Sequence, residues 1–137
     1  MKWEMLSHTS EAKFRAYGAT DEERFANAAL AMFDIMFEVD KVAPKVMKKV
    51  LIKGRDLRSL LHNWLEELLL YLDAELFVLQ SVKKIKINSI KEVYALEATV
   101  MGERATDATP RRGAAVKAVT YDEMELTPAF VQVVVDV

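Results

Sequence analysis

The chain has 137 residues, a formal net charge of −2, 52% hydrophobic and 29% charged residues, and no cysteine. That length suits one domain, residues 1–137, whose core needs no staple, and the composition excludes a disordered chain. The missing cysteines exclude disulfides, thiolate metal sites and a cysteine nucleophile, and the slight acidity removes any global electrostatic drive toward nucleic acid.

Trp3 to Leu6 reads as a short first strand, and Lys13 to Gly18 as a second that ends at its glycine. Thr20-Asp21-Glu22-Glu23 has the form of a helix cap, with Glu23 placed to reach back to the cap amide. Behind it Phe25, Ala29, Met32, Phe33, Met36 and Phe37 recur at helical spacing, which predicts an amphipathic helix ending near Val39. After Pro44, Val46, Val50 and Ile52 share one face of a strand opposite Lys49 and Lys53, and Gly54-Arg55 turns it. Asp56 caps a second helix, in which Leu57, Leu60, Leu61, Trp64, Leu65, Leu68 and Leu72 carry the chain's strongest periodic signal. The period then becomes two: Lys83, Ile85 and Ile87 alternate with Lys84, Lys86 and Asn88, and a turn near Asn88–Lys91 leads to a strand from Val93 to Met101. A loop opening at Gly102-Glu103 precedes two last strands, Val116–Leu126 and Phe130–Val137. Two helices cannot cover both faces of a parallel sheet of that many strands, so the pattern predicts an α+β domain. Its sheet is mostly antiparallel, with both amphipathic helices packed on it.

Met1 to Leu6 holds no apolar stretch behind a basic start, and no apolar run approaches the roughly 20 residues a membrane helix needs. A soluble cytoplasmic protein without a membrane partner is expected.

There is no Gly-rich phosphate loop and no Ser-His-Asp arrangement, and the two histidines, His8 and His62, are too few for a multi-histidine zinc site. His62 lies one helical turn before Glu66, a spacing that reads as a helix-surface pair. Asp136 stands beside the Val137 carboxylate. With a third acid such as Glu11 the three would make an oxygen-only site for a hard divalent cation, set against the plainer reading of a frayed, solvated strand end. Arg104, Arg111, Arg112 and Lys117 make a local basic patch or a solvated loop, and Lys83, Lys84, Lys86 and Lys91 read as charges guarding a strand edge.

Several stretches together resemble the archease family: His8-Thr9-Ser10-Glu11, Arg15-Ala16-Tyr17-Gly18, the segment Asn27 to Phe33, Asp56 to Leu69, Gly102-Glu103, the signature Val116-Lys117-Ala118-Val119-Thr120-Tyr121, and the ending Val135-Asp136-Val137. They span the chain in order. The resemblance implies a small α+β accessory protein rather than an enzyme. It implies a partner, an RtcB-type RNA ligase of tRNA splicing, whose guanylylation and multiple turnover it promotes. The alternative is a chaperone or specificity modulator of a tRNA cytosine methyltransferase, and a stand-alone metal-dependent hydrolase is a third, weaker reading. tRNA would be met only indirectly.

The resemblance also implies a metal site at Glu11, Asp136 and the Val137 carboxylate, with Ca²⁺ favoured and Mg²⁺ or Mn²⁺ as alternatives. His8, Lys117 and Asp122 would be functional neighbours. Three departures from the family pattern bear on that site: Glu11 stands where the family has Asp, the loop from Thr106 to Arg112 lacks the His that members often carry after Gly-Glu, and Asp122 stands where many members have His. If the segment around them is one strand, alternation puts Lys117 and Asp122 on opposite faces.

Overall fold

The computed structural model describes residues 1–6 and 11–137, so the expectation at His8 lies outside the described residues. Among the described residues the order is β1 (Trp3–Leu6), β2 (Ala12–Tyr17), α1 (Asp21–Met36), a 3-10 turn (Val39–Lys41), β3 (Val46–Gly54), α2 (Leu57–Glu75), β4 (Phe77–Ile90), β5 (Val93–Arg104), β6 (Ala118–Val119), β7 (Glu125–Leu126) and β8 (Phe130–Asp136). The α+β class and the antiparallel pairing are as expected. The strands, however, divide into two sheets. One runs β1-β2-β8-β6 with β7 also on β8, and the other runs β3-β5-β4. Both helices contact strands of both sheets.

The width of α1's apolar face explains the second sheet. Phe25, Ala28, Ala29, Ala31, Met32, Phe33 and Met36 are all buried, as is Arg24. That arc is wider than the ~100° stripe that one layer covers. The two terminal nitrogens of Arg24 are satisfied, Nη1 donating to the carbonyls of Gly18 (2.9 Å) and Pro128 (2.7 Å) and Nη2 pairing with Asp21 (2.6 Å), while its buried Nε has no partner. In α2, Leu60, Leu61, Trp64, Leu65, Leu68 and Leu69 are buried, and the Trp64 indole donates to the Phe25 carbonyl at 3.0 Å, tying the two helices together.

Local chemistry sets the helix ends. Thr20 accepts from the Glu23 amide at 3.1 Å, while the Glu23 carboxylate reaches the Ala19 amide at 2.8 Å, one residue before the expected cap amide. Asp56 and Ser59 form a reciprocal capping box on α2. α1 stops at Met36 rather than Val39 because Phe37 turns extended and pairs with Arg111. The Glu38 amide donates to Pro110 and the Arg112 amide to Met36.

Two strands depart from the sequence pattern. β4 begins at Phe77, directly after a left-handed residue at Leu76, and its register shifts twice, leaving Gln80 and Lys83 outside the pairing. Each bulge resets the alternation, so a period of two shows only from Lys83 onward. The strand expected over 116–126 is instead two short strands separated by a turn in which Glu123 takes φ 50° and the Met124 amide donates to the Tyr121 carbonyl.

Candidate functional site

β8 lies between β2 and the β6–β7 segment, and its residues Val131 to Val135 are all buried. Gln132 is buried because both ends of its amide are used: Arg15 Nε donates to its Oε1 at 3.0 Å, and its Nε2 donates to the Glu123 carbonyl at 2.7 Å. The strand emerges into solvent only at Asp136 and Val137.

The register then decides which residues meet Asp136. Ala12 pairs Val135 at the end of the ladder, so Glu11 and Asp136 are the next residues beyond it on adjacent segments. On the other side Ala118 pairs Asp136, and the Lys117 amide donates to the Asp136 carbonyl at 2.7 Å. A half-buried carboxylate position, an exposed one and an exposed lysine are thus gathered at one sheet rim from three distant segments.

A two-residue strand such as β6 needs support on its free edge, and α2 supplies it. Glu66 accepts the Val119 amide at 2.6 Å, and His62 Nε2 lies 3.1 Å from the Val119 carbonyl, which makes that nitrogen the protonated one if the bond is made. The His62 ring stacks on Tyr121, centroids 4.6 Å apart and planes 11° apart. His62 and Glu66 are therefore not the helix-surface pair that their spacing suggested. One helical turn apart, they hold the two polar groups of a single buried peptide position. Sequence reading missed this role, although the i,i+4 spacing opposite a Thr-Tyr segment was its only visible signal.

Asp122 is exposed in the turn after β6, where its amide donates to Thr120 Oγ1 at 3.2 Å. The alternation argument placing it opposite Lys117 does not apply, because the chain has left the sheet. Among the described residues no three His, Cys, Asp or Glu side chains converge on one point, so Asp122 does not complete a three-side-chain cluster with Glu11 and Asp136. The donors at the rim are all oxygens, which suits a hard cation and not zinc or copper.

A family model for the Archease protein family (MTH1598/TM1083) matches residues 3–137. The chain belongs to the archease family. It is 42% identical over 124 residues to the protein archease of Methanothermobacter thermautotrophicus, covering 90% of this chain and 87% of that one. It is 39% identical over 125 residues to that of Sulfurisphaera tokodaii, covering 91% and 88%. The solution structure of Methanobacterium thermoautotrophicum protein 1598 is similar along 99% of both chains, with a TM-score of 0.83 at 35% identity. In this archease-family fold no helix among the described residues is long and apolar enough to cross a membrane.

Proposed function

We propose that this protein is an accessory factor, not an enzyme, that activates an RtcB-type RNA ligase by promoting its guanylylation and repeated turnover. The observation that carries the reading is the β8 rim. A strand buried along five residues ends in an exposed carboxylate, with Glu11 next beyond the β2 ladder on one side and, on the other, Lys117 bonded by its amide to the Asp136 carbonyl. Exposed groups at the end of a strand paired on both sides are offered to solvent, which suits contact with a partner's site better than turnover in a pocket of its own.

Glu11, Asp136 and the Val137 carboxylate would hold a divalent cation, with Ca²⁺ favoured and Mg²⁺ or Mn²⁺ as alternatives. When bound it would supply a fixed positive charge for phosphate oxygens. Lys117, tied by its own amide to the Asp136 carbonyl, would place an ammonium beside the same phosphates. β6 and the α2 clamp keep that lysine in register with β8.

Asp136→Ala tests the assignment. Asp136 is exposed and its sheet bonds use backbone only, so the substitution should alter stability by no more than ~0.5 kcal/mol. Stimulation of guanylylation in the cognate ligase should be lost, and calorimetric Ca²⁺ binding with it. Normal stimulation by the variant removes the site assignment, and loss of folding makes Asp136 structural. A wild-type protein that leaves the ligase untouched but alters a tRNA cytosine methyltransferase replaces the reading altogether.

A further inference from the structure

We propose that the outer face of the β3-β5-β4 sheet binds the sugar-phosphate backbone of a single RNA strand. This surface lies on a different sheet from the β8 rim. Register puts its residues in rows: Lys49 opposite Thr99 opposite Lys84, then Leu51 opposite Glu97 opposite Lys86, then Lys53 opposite Ala95 opposite Asn88. Lys49, Leu51, Lys84, Lys86, Glu97 and Thr99 line a groove of about 540 Å³.

Lys49 and Lys53 thus stand along one bank and Lys84 and Lys86 along the other, about 10 Å apart across two inter-strand spacings. All four are exposed, and among the described residues none of them makes an ion pair. On the inner face of β3, by contrast, Lys48 is paired with Glu75. So a chain of net charge −2 gathers four cations around a groove whose lining holds one carboxylate, Glu97.

Guarding a strand edge explains lysines on β3 and β4 but not the company they keep. Leu51 is 62% exposed and Met47 55% exposed on the same face, and an edge shielded only against aggregation would not present them. Cations along both banks, with exposed Leu51 standing between Lys49 and Lys53 on one of them, suit a nucleic-acid strand: phosphates meet the lysines and sugars or bases meet the apolar side chain.

Glu97 separates RNA from an acidic peptide. In the centre of the groove it accepts hydrogen bonds from a 2′-hydroxyl or an exocyclic amine, whereas a carboxylate side chain there meets repulsion. Phosphate recognition stands on the lysines alone, while the choice of RNA over DNA rests on the proposed role beside an RNA ligase.

The test is fluorescence anisotropy of a labelled oligouridylate with the purified full chain at several salt concentrations. Four phosphate contacts give a slope of log K against log salt of about −3, at about −0.7 per contact. Lys49→Gln with Lys84→Gln should halve that slope without altering the circular dichroism spectrum. Lys41→Gln, in the 3-10 turn outside this face, should leave it alone. No binding at low salt, or an unchanged slope in the double variant, overturns the proposal. So does equal affinity for poly-glutamate or for oligothymidylate. Guanylylation is followed in parallel with no RNA present. The double variant should stimulate it normally, so failure of the ligase reading and failure of this one are told apart.

Discussion

Glu66→Ala probes how a helix side chain supports the short strand that directly follows the signature lysine. The substitution removes the acceptor of the Val119 amide, a charge-assisted bond of 2.6 Å, and Val119 is buried, so water cannot replace it freely. A bond to a charged acceptor contributes about 1.5–3 kcal/mol, and for this part-buried pair we take about 2 kcal/mol. With an unfolding entropy of roughly 0.3 kcal/mol/K for a chain of this length, the melting temperature should fall by about 7 °C. Glu66→Gln, which keeps an acceptor without its charge, should lose about half of that. His62→Ala removes the partner of the Val119 carbonyl and the stacking surface of Tyr121, so the two substitutions act on one peptide and their effects should not add. Differential scanning calorimetry of the wild type, both single variants and the double variant measures the cycle. A melting temperature within a degree of wild type for Glu66→Ala, or strict additivity, refutes the clamp.

Other positions give sharper structural tests. Gly102 pairs with Leu79, and a Cβ built on it would lie 2.0 Å from the Val78 carbonyl oxygen and 2.8 Å from the Phe77 ring. Gly102→Ala should therefore force β4 and β5 apart and destabilise by roughly 3 kcal/mol, read from urea unfolding, and a near-neutral result would remove the packing argument. The Asp56 carboxyl is held below its ordinary value by the Ser59 amide and hydroxyl. Because its folded pKa is depressed, its contribution is complete above the unfolded value near 3.8 and fades as pH falls through the folded one. Melting temperature followed downward from pH 5 should drop less steeply in Asp56→Asn, which keeps a cap acceptor that does not titrate, and parallel curves would contradict this.

Both helices were legible in the sequence because their signals are local. The Thr20 and Asp56 caps and the 3–4 spacing of apolar residues act within a few turns of chain. The end of α1 was not legible, since what stops it is a loop more than 70 residues later pairing with Phe37. The first half of β4 was hidden for a similar reason. Phe77, Val78 and Leu79 are all buried, and the bulges at Gln80 and Lys83 scramble the alternation that announces a strand. The segment at 116–126 looked like one strand because Val116, Ala118 and Leu126 alternate with polar residues, yet the turn at Glu123 breaks it.

The candidate site divides along the same line. Composition and local pattern determined that any metal here meets oxygen and not sulfur, and that one α+β domain would form. Which acids and cations stand together was decided by strand register alone. Glu11, Lys117 and Asp136 are up to 125 residues apart in the chain, and only the β2–β8 and β8–β6 ladders bring them to one rim. The two lysine banks have the same origin, because Lys49 and Lys84 become opposite neighbours through β5. Side-chain periodicity reports which face a residue takes. The partner across that face is set by non-local hydrogen bonding, on which the sequence of one strand is silent.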